Sequence, residues 1–143
     1  MGIVIDILKT KGNTIHSTTP DTIVYDALAM MVGKNVSALL VMENEKLVGI
    51  FSERDYARKV VLKGKTSREI TIGEIMTKEL ITVKPDSSID SCMRLMTSSF
   101  IRHLPVLEND QLVGIISIGD VVKYKIEEQQ FIIENMEHYI TGG

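Results

Sequence analysis

The chain has little cysteine, no tryptophan and few aromatic residues of any kind. Cys92 is its only cysteine, which excludes an internal disulfide and a zinc site built on paired cysteines. An excess of one charge is lacking too, because 16 basic and 19 acidic residues leave a net charge of −3. That balance gives no general attraction to nucleic acid or to an anionic membrane. We therefore expect a reducing compartment, most simply the cytoplasm, and no membrane partner, and the overall charge counts against a nucleic-acid partner.

Long hydrophobic runs and catalytic motifs are also missing. The apolar start of the chain, residues 3–8, is short and is interrupted by Asp6, so it fits neither a secretory signal nor a membrane span. The histidines His16, His103 and His138 are scattered without metal-ligand spacing, and no nucleophile elbow or phosphate loop occurs. We expect no catalysis, no metal and no catalytic cofactor.

What is present is a duplication. Residues 16–61 align with residues 81–126 at a constant offset of 65, without a gap. The pairs of identical residues include Pro20/Pro85, Asp21/Asp86, Met31/Met96, Leu39/Leu104, Val41/Val106, Gly49/Gly114, Ser52/Ser117 and Asp55/Asp120. A polar Ser-x-x-Asp kept in both copies of a repeat predicts two half-sites that face each other across a pseudo-two-fold axis.

Each copy predicts the same order of elements. An i, i+3, i+4, i+7 apolar stripe predicts an amphipathic helix near residues 24–31 and again near 89–96, where buried Cys92 is a core residue. Two short apolar runs then predict a β-hairpin with a four-residue loop, at residues 43–46 in the first copy and 108–111 in the second. A second helix is expected to begin after each hairpin.

The fold class is therefore α/β (α+β), with a β-α-β-β-α order repeated in tandem. Polar residues and breakers make 64–74 a linker, which places the repeat boundaries at 1–66 and 67–143. The tail, residues 125–140, has helical spacing of apolar residues and is expected to extend the last helix, with Gly142 and Gly143 ending it.

The sequences after each predicted hairpin carry a family resemblance. They read Gly-Ile-Phe-Ser-Glu-Arg-Asp at 49–55 and Gly-Ile-Ile-Ser-Ile-Gly-Asp at 114–120, and Ile-Arg-His-Leu-Pro-Val stands at 101–106. The whole chain resembles a tandem pair of cystathionine-β-synthase-type (CBS) domains, the Bateman module, and is similar to small stand-alone bacterial proteins of this kind. The resemblance implies a disc-like homodimer that binds AMP, ADP, ATP, NAD or S-adenosylmethionine in clefts between the repeats and regulates another, unidentified protein.

Asp55 and Asp120 are the residues on which the nucleotide interpretation depends. The resemblance implies that each carboxylate accepts hydrogen bonds from ribose hydroxyls, while Ser52, Ser117 and the helix starts meet phosphate. The alternative is structural, because Ser-x-x-Asp at a helix start is close to a capping box.

Arg102 and His103 are implied to reach the phosphates of a nucleotide at Asp55. The first copy has Ser37 and Ala38 in their place, which predicts no equivalent cation for the Asp120 site and therefore a weaker preference for phosphate there. The alternative is that both basic residues are ordinary strand residues.

Further ligand-binding positions follow from the same resemblance, each with an alternative as a core, strand or solvated helix residue. These positions are Thr18, Val36, Ser37, Ala38, Arg54, Thr82, Ile101 and Gly119. Two other functions stay open: a dimeric scaffold with vestigial sites, and an anion- or RNA-binding module that uses the basic stretch 54–68. Acidic residues of the tail are candidates to pair with that stretch across a dimer.

Overall fold

The computed structural model describes residues 2–12 and 14–141. It is a mixed α+β structure with two small sheets, as predicted. The helices are α1 (Val4–Lys11), α2 (Val24–Lys34), α3 (Glu53–Tyr56), α4 (Ile72–Ile75), α5 (Ile89–Ser99) and α6 (Ile118–Thr141). The strands are β1 (Ser17–Thr18), β2 (Ala38–Glu43), β3 (Lys46–Ser52), β4 (His103–Glu108) and β5 (Gln111–Ser117).

The chain divides into two compact units that do not follow the predicted boundary at 66/67. One unit comprises Thr14–Thr82 together with Leu107–Val113. The other contains α1, Val83–Val106 and the chain from Gly114 through α6. We call them the Asp55 unit and the Asp120 unit after the carboxylate that each contains.

The Asp55 unit is built on a three-stranded sheet. Strand β1 runs parallel to β2, with Ser17 opposite Leu40, and β2 pairs antiparallel with β3. Helix α2 buries Val24, Ala27 and Met31 of the apolar stripe predicted from the sequence, and the fourth residue, Leu28, is half-buried. This helix face, the sheet and α4 enclose one hydrophobic core.

The Asp120 unit repeats this plan with a shorter first strand. Val83 makes a single parallel bridge to Val106 where the first copy has β1 against β2. Helix α5 buries Ile89, Cys92 and Met96, so the predicted core position of Cys92 is confirmed.

Both hairpin loops are tighter than the predicted four residues. Glu43 and Lys46 pair with each other as the last ladder residues, so only Asn44 and Glu45 form the turn. Both have positive φ, 52° and 66°, which matches the twist of the strands in a type I′ turn. Asn109 and Asp110 repeat this turn. The two-residue turn was not predicted from the sequence because glutamate seldom adopts a left-handed conformation.

Helices α1 and α4 were not predicted, and α4 lies inside the expected linker. They are equivalent elements in the two units. Ile72 N donates to Thr22 O at 2.8 Å, and Val4 N donates to Ser87 O at 2.9 Å. Isolated bridges likewise join Ile23 to Thr71 and Ile3 to Ser88.

The chain thus contains a second repeat: residues 3–8 match residues 71–76 at an offset of 68. Because each of these segments packs on the copy that lies beside it in space, the N-terminal helix completes the second copy and α4 completes the first.

The helices that follow the hairpins differ between the copies. In the first copy, the short α3 continues as a π-helical turn, Ala57–Val61. In the second copy, α6 runs without interruption for 24 residues, which confirms that the tail extends the last helix. The predicted stop at Gly142 and Gly143 lies outside the described residues. Over the ranges that the structure describes, no helix is long and apolar enough to span a membrane.

Candidate functional site

Each Ser-x-x-Asp motif forms a capping box at the start of a helix. In the first copy Ser52 ends β3 in extended conformation and caps α3. Ser52 N donates to Asp55 Oδ2 at 3.0 Å, and Asp55 N donates to Ser52 Oγ at 3.3 Å. The structural alternative, that Ser-x-x-Asp acts as a capping box, is therefore confirmed. A role for the same residues in ligand binding stays a prediction.

The Asp55 carboxylate is buried and fully engaged by protein donors. The residue is 6% exposed. Its Oδ2 accepts from Ser52 N and also from Ser52 Oγ at 3.2 Å. Its Oδ1 accepts from Thr77 Oγ1 at 3.0 Å and lies 3.1 Å from Lys59 Nζ. A ribose hydroxyl would have to displace one of these donors.

Lys59 and Thr77 reach Asp55 from two directions. Lys59 follows Asp55 by one helical turn, and its Nζ also donates to Ile75 O at 3.0 Å and lies 3.5 Å from Thr77 Oγ1. Thr77 is held on β3 by reciprocal backbone bonds with Ile50. All three protons of the Lys59 ammonium group thus have acceptors in the protein.

The Asp120 carboxylate has the same cap but a different cation. Ser117 N donates to Asp120 Oδ2 at 2.8 Å, and Asp120 N donates to Ser117 Oγ at 3.1 Å. The second donor to Oδ2 is Lys11 Nζ at 2.6 Å, from the last residue of α1. Among residues 2–12 and 14–141, Asp120 Oδ1 has no hydrogen-bond partner, and the side chain is 22% exposed.

Positions 37–38 supply no cation equivalent to Arg102 and His103, as the sequence indicates, but the Asp120 site has a cation from another element. Lys11 supplies one, and it escaped sequence reasoning because no local motif connects α1 with a helix that starts more than a hundred residues later. Burial alone would raise the pKa of Asp120. The hydrogen bond from Lys11 and the backbone N–H of Ser117 outweigh burial and lower the pKa below the ordinary value of 3.8.

His103 lies in the Asp120 unit and is sensitive to the same charges. Burial lowers the pKa of His103 below its ordinary 6.5, and the positive charge of Lys11 lowers it further. The negative charge of Asp120 acts in the opposite direction. The lowered pKa favours the uncharged ring. That Arg102 and His103 contact the phosphates of a nucleotide bound at Asp55 stays a prediction.

The two copies place the predicted hairpin residues alike. Ala38 is opposite Ser52 in the β2–β3 register, and Glu53 N donates to Ser37 O at 3.2 Å. In the second copy Ile118 N donates to Arg102 O at 2.9 Å. Each predicted pair, 37–38 and 102–103, thus lies at the helix start of its own unit.

The other predicted positions differ in exposure. Thr18 is buried in β1 and lies opposite Val41. In the second copy, Val83 occupies the position equivalent to Thr18, and Thr82 is equivalent to Ser17. Arg54 and Gly119 occupy the same position after the cap and are exposed, as is Thr82, whereas Val36 and Ile101 are half-buried. No grouping of His, Cys, Asp or Glu suited to a metal occurs in the described part of the chain.

The chain belongs to the CBS-domain family. The model of that family matches residues 6–62 and again 72–127. The CBS domain-containing protein CBSX3 of Arabidopsis thaliana, which is mitochondrial, is 41% identical over 96% of this chain and 71% of its own length.

Solved structures agree in fold. A CBS-domain protein of Burkholderia ambifaria described as a signal-transduction protein is 46% identical, with a TM-score of 0.86 over 90% of this chain and 96% of its own. A hexameric CBS-CP12 protein of bloom-forming cyanobacteria is 27% identical, with a TM-score of 0.76 over 85% of this chain and 66% of its own. The predicted family and fold are confirmed.

Proposed function

We propose that this protein is a non-catalytic regulatory sensor that binds adenosine-containing ligands, AMP, ADP, ATP or NAD, chiefly at the Ser-x-x-Asp helix start that carries Asp120. The observation that carries the proposal is the Asp120 carboxylate, which is fixed by a cap and an ion pair yet keeps Oδ1 without a partner among the described residues. Such an oxygen accepts hydrogen bonds from the hydroxyls of a ribose without any loss of the cap.

The exposed start of α6 supports this assignment. The second residue of α6 is Gly119, which has no side chain, whereas the second residue of α3 in the first copy is Arg54. A Cβ at Gly119 would meet only Ser117 Oγ, at 3.6 Å, so nothing in the fold itself requires glycine there. Open backbone at this point admits a ligand close to the Ser117 hydroxyl and the first N–H groups of α6.

A scaffold function is the second candidate, and Asp55 favours it for the first copy. Its two oxygens are already saturated by Ser52, Thr77 and Lys59. A ligand at Asp55 must replace bonds to a charged group, which costs more than filling an open acceptor. We therefore assign the tighter nucleotide site to Asp120 and a structural role to the Asp55 carboxylate.

Titration calorimetry with AMP, ADP, ATP and NAD tests the proposal. Asp120→Ala removes charge-assisted bonds to ribose, which corresponds to a 10- to 100-fold weaker affinity, by the order of magnitude of such bonds. Asp55→Ala is the matched control, since it removes the equivalent cap in the other copy. It should lower the free energy of unfolding by about 1 kcal/mol or more while affinity stays within a few-fold.

The outcomes separate the candidates. If none of the four ligands binds the parent protein, or if Asp120→Ala binds as tightly as the parent, the sensor function at Asp120 is wrong and the scaffold function replaces it. If Asp55→Ala loses affinity as strongly as Asp120→Ala, both carboxylates bind ribose. Turnover of ATP by the parent protein would contradict the non-catalytic assignment.

We also propose that the protein is a homodimer in which the end of α6 docks on a second copy. Ile132, Met136 and Tyr139 are spaced along one face of α6 and are 50%, 58% and 87% exposed. Their helix carries Glu134 and Glu137 and, after Lys125, no lysine or arginine. Like charges oppose pairing of this segment with its own copy.

The complementary surface lies on the Asp55 unit. Val61 and Leu62 are 51% and 78% exposed and stand between Arg58 and Lys63. An apolar centre with a basic rim matches the apolar, acidic face of α6 in both hydrophobicity and charge. Pairing of these two surfaces between copies buries both.

Light scattering should give twice the chain mass for the parent and one chain mass for Met136→Glu. Val32→Glu is the control, because Val32 is 83% exposed on a different helix. High salt should also weaken the dimer. A dimeric Met136→Glu variant, or a dimer stable to salt, would refute this interface.

A further inference from the structure

Lys11 is a charged residue of the Asp120 site to which neither the sequence motifs nor the family match assigns a function. It is the last residue of α1, and its side chain is 32% exposed. Its Nζ donates to Asp120 Oδ2 at 2.6 Å and to Ile115 O, on the strand before the cap, at 3.0 Å. The ammonium group is therefore fixed between strand and helix start.

The fixed ammonium group keeps one proton for a ligand. An ammonium group has three N–H donors, and only two of those of Lys11 have acceptors within the described residues. The remaining donor belongs to the same ion pair as the open Oδ1 of Asp120. One hydrogen-bond donor with a positive charge and one acceptor thus stand side by side.

A small cavity adjoins this ion pair. It has a volume of about 80 Å³. A void of about 10–15 Å³ on this measure already holds one water molecule, so the space is large enough for a small group such as a phosphoryl group. Its lining residues lie on α1 and on the first turns of α6: Ile7, Thr10, Lys11, Asp120, Lys123, Tyr124 and Glu127.

We propose that Lys11 is the specificity-determining residue of the Asp120 site: it binds the phosphate next to the ribose, so that the site selects AMP over adenosine. This inference rests on the proposed nucleotide function of Asp120. Asp120 accepts the ribose hydroxyls while Lys11 donates to the phosphate, and the cavity beside them receives the phosphoryl oxygens.

The comparison with Lys59 shows why this selectivity belongs to one copy. All three N–H donors of the Lys59 ammonium group have acceptors, at Asp55, Ile75 O and Thr77. None is left to bind a phosphate. We therefore expect the opposite of the preference that Arg102 and His103 imply. Binding should depend more strongly on phosphate at Asp120 than at Asp55.

Calorimetry of adenosine and AMP against Lys11→Met tests the inference. An isolated charge-assisted bond to phosphate corresponds to a loss of about 10- to 100-fold in AMP affinity. Adenosine affinity should change less than about threefold, because Asp120 keeps its cap. Lys9→Met is the matched control, since Lys9 is an exposed lysine of the same helix. Lys11→Arg should retain most of the preference for AMP.

Each outcome decides between the assignments. Equal losses for adenosine and AMP in Lys11→Met would show that Lys11 only positions Asp120, and a gain for both would show that it blocks the site; either result overturns the inference. If the parent binds AMP and the variant keeps its preference, the inference alone fails. If the parent binds neither ligand, the proposed function fails and the inference with it. Should Lys11→Met not fold, the same comparison is made with Lys11→Gln.

Discussion

Lys11 and Asp120 are separated by 109 positions in the chain, and their side chains form an ion pair of 2.6 Å. The first copy also pairs its carboxylate with a lysine, but Lys59 follows Asp55 by four positions on the same helical stretch. Both copies thus have a capping box and a lysine beside the carboxylate, but the two lysines come from different elements of the fold. One carboxylate is stabilised locally, and the other depends on the N-terminal helix.

The Lys11–Asp120 pair should contribute to stability only above acid pH. Because the pKa of Asp120 is lowered on folding, the contribution is complete above its unfolded pKa, near 3.8, and is lost as pH falls through the folded value. Lys11→Met should reduce the free energy of unfolding by up to about 1 kcal/mol at pH 7. Urea denaturation of parent and variant at pH 7 and pH 3 measures this difference. A difference that grows toward pH 3 would contradict it.

His103 should make stability fall as the solution becomes mildly acidic. Its pKa is lowered from 6.5 on folding, chiefly by burial, so below pH 6.5 the unfolded chain binds the proton first. Stability is therefore complete above pH 6.5 and decreases until the folded pKa is reached. His103→Gln should flatten the decrease between pH 7.5 and 5.5 in urea denaturation. His16→Gln controls for the loss of a histidine as such, and an unchanged slope in His103→Gln would refute the assignment.

Gly49 and Gly114 should not tolerate alanine. A Cβ on Gly49 would lie 2.6 Å from Met76 Sδ and 3.0 Å from Thr77 O, and one on Gly114 would lie 2.8 Å from Leu8 Cδ2. Alanine at either position should lower the free energy of unfolding by about 1–3 kcal/mol through overpacking.

Gly33→Ala is the matched control for this pair. Nothing lies within 4 Å of a Cβ at Gly33, which is in α2, so alanine should stabilise the protein by about 0.5–1 kcal/mol. Thermal melts of the three variants measure all the shifts. Gly49→Ala and Gly114→Ala melting at or above the parent would show that α4 and α1 do not hold Met76 and Leu8 against the strands.

Phe100→Asn should stabilise the protein. Phe100 ends α5 in a left-handed conformation with φ of 54°, and it is 76% exposed. The equivalent residue at the end of α2 is Asn35, also at φ 54°, and asparagine adopts this conformation at low cost. We expect about 0.5–1 kcal/mol of added stability from the substitution, and a comparable loss from Asn35→Phe. A less stable Phe100→Asn would mean that contacts of the ring outweigh the backbone strain.

The elements that could be predicted from the sequence are those with a local signal. Helices α2 and α5 and both hairpins follow from apolar spacing that the two copies share. Helices α1 and α4 escaped prediction because they are short, and because backbone bonds to residues far along the chain, Ser87 and Thr22, anchor them. Isolated helices of that length are not stable without such partners. A local signal did exist for α4, since Thr71 and Glu74 form a capping box.

The candidate site divides in the same way. Ser52 and Asp55 could be placed together because the two residues of a capping box are only three positions apart. Lys59 follows Asp55 by four positions and could have been predicted as its ion-pair partner. It was instead interpreted as part of a solvated helix face because its neighbours are also basic. Lys11 and Thr77 could not be assigned, since only the packed fold brings α1 and the end of α4 to the carboxylates.

The pairing of Ile3 with Ser88 has a consequence for the order in which the chain acquires its structure during synthesis. The elements between Thr14 and Thr82 leave the ribosome early and find most of their partners near in sequence. Helix α1 leaves before these elements but must wait, without its partners, until residues beyond Ser88 have been made. Its docking closes a loop that contains the whole first copy, so this step is non-local and slow compared with formation of the hairpins. A segment that is synthesised before the whole first copy thus becomes structured after it.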